Sequence, residues 1–112
     1  MRRRILAGLG ALLVARGAYA QVANGTRITL LVPAPGGVSS DQLGQIVAEA
    51  LSRILEVEVR IENIGGDSGV VGTNKIAAGP RDGSLLGIGT SVAMIGGRLL
   101  SRSARFNPVD DF

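Results

Sequence analysis

Apolar and polar positions change their rhythm six times along residues 27–112. Residues 27–32 end in the unbroken apolar run Leu30-Leu31-Val32, the pattern of a strand covered on both faces, as in a parallel sheet. Pro33 ends it, because proline has no N–H to give to a ladder. Leu43, Ile46, Val47, Ala50, Leu51 and Ile54 then recur at spacings of three and four, with Gln42, Gln45, Glu49 and Arg53 between them. This predicts an amphipathic helix from Gln42 to Ile54 whose apolar set faces the core. Ser39, Ser40 and Asp41 stand where a side-chain oxygen caps such a helix. Glu49 and Arg53 form an i,i+4 pair of the favourable orientation. Next, Val57, Val59 and Ile61 alternate with Glu58, Arg60 and Glu62, which predicts a strand with one wet face, as at a sheet edge. After the glycine-rich stretch Asn63 to Gly69, Val70 to Ala78 is a short helix with Val71, Ile76 and Ala77 inward, stopped by Gly79 and Pro80. Leu85 to Gly89 reads as a third, buried strand. Val92 to Leu100 reads as a helix weakened by Gly96-Gly97, and Ser101 to Phe112 as irregular.

The order strand, helix, strand, helix, strand, helix predicts an α/β fold with a mainly parallel sheet and helix crossovers. In such sheets ligands sit outside the carboxyl ends of the strands. Two loops fall there: Pro33 to Asp41 after the first strand, and Gly89-Thr90-Ser91 after the third.

Residues 1–20 stand apart from this pattern. Arg2, Arg3 and Arg4 precede the apolar stretch Ile5 to Ala15, and Ala18-Tyr19-Ala20 is an A-x-A cleavage site. These are the parts of a signal peptide, with Gln21 as the mature N-terminus. A transmembrane anchor is the competing reading; spanning a bilayer takes about 20 apolar residues, and Arg16 interrupts the run. The formal charge of +3 is a targeting effect. Four of the 12 basic residues lie in 1–20 with no acid beside them, which leaves eight against nine Asp and Glu, a net charge of −1. With no basic patch interleaved with aromatics, nucleic acid is not an expected partner. The chain has no Cys and no His, which removes disulfides, thiolate chemistry, His-ligated metals and His-based triads. Export without cysteine fits a bacterial periplasmic protein.

The candidate chemistry lies in the first loop. Gly36-Gly37 lets the backbone come close to a ligand, and the helix N-terminus behind it offers unpaired N–H groups and about half a positive charge. A small carboxylate suits that place. Asp41, near the same N-terminus, lowers its appeal for a polyphosphate. The same residues also make an ordinary capped strand-to-helix turn. Thr90 and Ser91 can donate to a carboxylate, or cap the next helix. The glycines of Gly65 to Gly72 follow G-G-x-x-G-x-x-G and not G-x-G-x-x-G, so they argue against a dinucleotide. No acid–base pair or activated nucleophile assembles from these residues, so no enzyme activity, cofactor or metal is expected.

Taken in order, Ile28 to Asp41, Val59 to Asn63 with Gly65 to Gly72, Pro80-Arg81-Asp82-Gly83, Gly89-Thr90 and Phe106 to Phe112 resemble the periplasmic substrate-binding proteins of tripartite tricarboxylate transporters, the Bug or TctC-like family. The resemblance implies part of one lobe of a type II-like, Venus-flytrap periplasmic-binding-protein fold. It implies a receptor that closes on a di- or tricarboxylate, an amino acid or an aromatic acid and delivers it to membrane permease subunits. It assigns ligand contacts to Pro35, Gly36, Gly37, Ser40 and Asp41, and to Thr90 and Ser91. The chain departs from the family pattern at Val38, where a second glycine is usual, and at Ala34, where an aromatic is usual. Ile64-Gly65 stands in place of Arg-Pro and Gly97-Arg98 in place of Asn-Pro. Family members are longer, so residues 21–112 are expected to be an incomplete first lobe. The competing readings are a non-binding remnant of such a receptor and a piece of an unrelated exported α/β enzyme.

Overall fold

The computed structural model describes residues 27–112; the signal peptide expected over residues 1–20 and the lead-in after it lie outside the described residues. Strand β1 (Ile28–Val32) is followed by helix α1 (Ser39–Leu55) and strand β2 (Val59–Asn63). A tight turn at Asp67–Gly69 leads into α2 (Val70–Ala78), then strand β3 (Leu85–Gly87). A π-helical segment (Val92–Gly97) runs directly into α3 (Arg98–Leu100). The three strands are parallel in the order β2-β1-β3. Among the described residues no helix is long and apolar enough to cross a membrane.

Strand β1 is central, and its continuous apolar run is what that position requires. Ile28, Leu30, Leu31 and Val32 are all buried, and Phe106 of the C-terminal segment joins the core. Alternation sends neighbouring side chains to opposite faces. Val32 meets α1, where the backbone at Gly44 comes so near that a Cβ there would lie 2.7 Å from Val32 Cγ2. On the other face Gly87, the register partner of Leu31, lies against Ile76 of α2. The crossovers therefore place α1 and α2 on opposite faces, giving three layers.

Several expectations need correction. Helix α1 starts at Ser39, with Val38 as its N-cap in an extended conformation and no side-chain cap; Ser39, Ser40 and Asp41 are already in its first turn. Its buried line runs through Asp41, Gly44 and Ala48. Of the expected inner face, Leu43, Ile46 and Ile54 are 51%, 67% and 75% exposed, while Val47, Ala50 and Leu51 are half-buried. The helix rests on its smallest residues because that brings it closest to the sheet, and closeness governs dispersion contact. In α2, Val70 and Thr73 are buried and Val71 is exposed, since the turn before it sets where the helix begins and so its phase. Strand β3 is a half-buried edge strand of three residues, shorter than expected, although Ile88 still donates to the Leu31 carbonyl at 3.0 Å. The Glu49–Arg53 pair forms, at 2.8 Å and largely in solvent.

Candidate functional site

The chain leaves β1 toward β2 on one side, while β3 pairs on the other. The loops after β1 and β3 therefore diverge, and the carboxyl edge between them is a topological switch point, the usual place for a ligand in an open α/β sheet. Both loops singled out in the sequence lie at this edge.

The first loop runs from Pro33 to Val38. Gly37 has φ +86°, in the left-handed region that glycine adopts without penalty. Pro35, Gly36 and Gly37 are exposed and Ser40 is half-buried. The first turn of α1 spends two of its N–H groups on one acceptor: Asp41 and Gln42 both donate to the Val38 carbonyl, at 3.0 and 3.1 Å. Among the described residues, no recorded hydrogen bond uses the N–H of Val38, Ser39 or Ser40. Those are the orphan donors of a helix start.

Asp41 does not point into the crevice as a free contact. It is 6% exposed and its carboxylate is fully engaged. Oδ2 accepts from the Gly37 N–H at 2.8 Å and from Gln45 Nε2 at 3.2 Å, and Oδ1 accepts from Asn63 Nδ2 at 2.9 Å. An acid on the first turn reaching back to an N–H before the helix is a relative of the capping box. These donors, the Gly37 N–H foremost, then Asn63 and Gln45, hold the Asp41 carboxyl below its ordinary value of 3.8 against the opposing effect of burial. The Gly37 N–H is thus committed inside the protein.

In the second loop Thr90 is half-buried and Ser91 exposed. Thr90 Oγ1 accepts from the Ala93 N–H at 3.2 Å and so caps the π-helical segment, with its hydroxyl proton left over to donate. π-Helical turns recur at functional sites. The β2–α2 loop joins the two. A Cβ on Gly69 would lie 2.8 Å from the Pro33 carbonyl and 2.9 Å from Ala93 Cβ, so the first loop and the π-helical segment pack on the same glycine. That turn is left-handed throughout, with φ +47°, +54° and +93° at Asp67, Ser68 and Gly69. Asp67 anchors it by accepting from the hydroxyls of Ser101 and Ser103, which hold its carboxyl below 3.8. Asn63 and Asp67 escaped the sequence reading because their partners lie far along the chain; the only local signal was an Asn at the end of a strand.

No family model matches the chain. Among curated proteins it is 33% identical over 94 residues to the protein BugT of Bordetella pertussis, covering 80% of this chain and 29% of that protein. A solved structure of the periplasmic binding protein BugD superposes with a TM-score of 0.51 at 30% identity, covering 53% of this chain and 20% of that one. Over the stretch it spans, the chain is similar in sequence and fold to the Bug-type periplasmic binding proteins. A UPF0065 protein of Agrobacterium vitis is 32% identical over 90 residues, which are 76% of this chain and 24% of that protein. The structure of R. palustris Rpa4515 with adipate matches at a TM-score of 0.69 and 33% identity, over 74% of this chain and 28% of that one. The chain thus spans 24 to 29% of the length of the curated relatives it matches. Its parallel sheet is part of one lobe of the Bug-type, periplasmic-binding-protein fold.

Proposed function

We propose that this chain supplies first-lobe contacts of a periplasmic receptor that captures a small carboxylate for a tripartite tricarboxylate transporter, with residues 1–20 directing export and being cleaved. The observation that carries this is the pair of loops at the switch point, one of them ending in the N–H groups of Val38, Ser39 and Ser40 at the start of α1, which have no partner among the described residues. A carboxylate there gains charge-assisted hydrogen bonds and on the order of 1 kcal/mol from the helix dipole. In this reading Ser40 adds its hydroxyl, and Thr90 and Ser91 donate from across the crevice. Pro35, Gly36 and Gly37 form the wall. Asp41 supports the loop from inside, and its negative charge disfavours polyanions. The adipate bound to one structural relative makes a dicarboxylate the first ligand to try. Delivery to membrane permease subunits is part of this reading and rests on the resemblance to the family.

The exposed apolar faces of α1 and α3 favour a second reading, in which the loops bind only when further chain covers those faces. Thermal unfolding of the 112-residue chain, followed by circular dichroism with and without adipate, separates the two. Ligand at 100 times its dissociation constant stabilises the fold by about 2.7 kcal/mol. A cooperative melt shifted upward by adipate supports unaided binding, whereas a cooperative melt that no small carboxylate moves supports the second reading.

A further inference from the structure

We propose that Asn63, at the end of β2, is a positioning residue for the ligand loop and acts through Asp41. The inference rests on the carboxylate-receptor reading above, but its geometry is independent of it. Asn63 is the register partner of Val32, the last residue of β1. The next residue, Ile64, donates its N–H to the Val32 carbonyl at 2.9 Å. The end of β2 is therefore tied to the point where the ligand loop begins. From there the Asn63 amide reaches over and donates to Asp41 Oδ1 at 2.9 Å. That bond leaves Oδ2 to receive the Gly37 N–H at 2.8 Å, with Gln45 Nε2 beside it at 3.2 Å.

A carboxylate turns about its last side-chain bond unless both oxygens are held. Asn63 holds one oxygen, so the other stays aimed at Gly37. The consequence reaches the ligand groups. Gly37, at φ +86°, is the residue just before the free N–H groups of Val38, Ser39 and Ser40, and fixing it fixes the direction in which they point. A second contact acts in the same sense: a Cβ on Gly65, two residues beyond Asn63, would lie 3.2 Å from Pro35 Cδ and Cγ. The loop that faces the ligand is thus set by a strand end 22 residues downstream of Asp41. Preorganised donors bind more tightly than donors that must be ordered on binding.

The test uses the 112-residue chain, as wild type, Asn63→Ala and Asn63→Asp, with adipate as the probe. Amide hydrogen exchange and chemical shifts are read at Gly37, with the amides of α2 as the control for intact folding. In Asn63→Ala the Gly37 amide should exchange about tenfold faster or more while the α2 amides keep their protection. Adipate affinity should fall about tenfold, the cost of ordering a loosened loop on binding. Asn63→Asp keeps the shape but sets a second carboxylate against Asp41, and should lose at least as much. Unchanged Gly37 exchange in both variants overturns the proposal. So does a loosened Gly37 with wild-type adipate affinity, since a merely structural tie would give that result. If the wild type shows no response to adipate, the receptor reading fails for this chain and the binding role of Asn63 falls with it. The Gly37 readout tells that failure apart from a failure of the geometry.

Discussion

At the scale of single residues, the first loop depends on Gly37. Its backbone sits at φ +86°, yet nothing lies within 4 Å of where a Cβ would be. A substitution there meets backbone strain without a clash. Gly37→Ala should cost about 1–2 kcal/mol of stability in a denaturant melt, and Gly37→Val more, because a branched side chain is still less tolerant of that region. Asp41 makes a second residue-scale prediction. Its carboxyl titrates below 3.8 in the folded chain because the Gly37 N–H, Asn63 and Gln45 all stabilise the charged form. A group whose folded value is depressed contributes stability above its unfolded value and loses it as pH falls through the folded one. Asp67, held by Ser101 and Ser103, acts in the same direction. The melting temperature should therefore drop as pH is lowered from 5 to 2. The drop should be shallower in Asp41→Asn, which has no such proton to take up.

Elements pack here on small residues where the sequence offered large ones. Helix α1 carries a well-formed apolar stripe, but it meets the sheet through Gly44 and Ala48 and leaves Ile46 in solvent. Ile46→Gln should therefore change the stability of this chain by less than about 0.5 kcal/mol, as exposed substitutions do. An expected cost of several kcal/mol would follow if Ile46 filled the core. The contrary case is Gly72 in α2. A Cβ there would lie 2.7 Å from the Ile64 carbonyl and 2.8 Å from Pro33 Cα, and neither backbone atom can swing aside. Gly72→Ala should cost about 1–3 kcal/mol by overpacking, and it should loosen the first loop, which begins at Pro33. Helix propensity alone gives the opposite sign, since alanine is the better helix former. A chemical melt of this one variant decides which effect wins.

For the whole molecule, the feature that matters is what the three strands leave uncovered. Among the described residues both outer strands have an open edge. Val92, Ile95, Leu99 and Leu100 recur along the segment after β3 and are 63%, 59%, 78% and 88% exposed. Large apolar side chains exposed along one segment favour association, and an open sheet edge invites pairing. Concentration-dependent association of the 112-residue chain is the expected result in light scattering. Leu99→Lys together with Leu100→Lys should reduce it without lowering the melting temperature of the dilute chain. Association that persists unchanged in that double variant would place the sticky surface elsewhere, at β3, on α1 or in the apolar stretch Ile5 to Ala15.

The sequence by itself determined the element types and their order. Periodicity is a local property, and an unbroken Leu30-Leu31-Val32 run has few uses outside the middle of a parallel sheet. Parallel pairing then followed from the alternation with helices, and the carboxyl edge as the site followed from the pairing. Only the tertiary structure decided which side of each helix faces inward. Periodicity marks an apolar stripe, but close approach at Gly44, against the Val32 and Ile88 side chains, and at Gly72, against the backbone of Pro33 and Ile64, chose a different line of contact. The structure also decided the part played by Asp41. Read locally, an acid beside a glycine pair at a helix start is either a cap or a ligand contact. Its buried carboxylate became an internal support because folding brought Asn63 to it from the end of β2, and a hydrogen bond across 22 residues leaves no mark on the sequence around either partner.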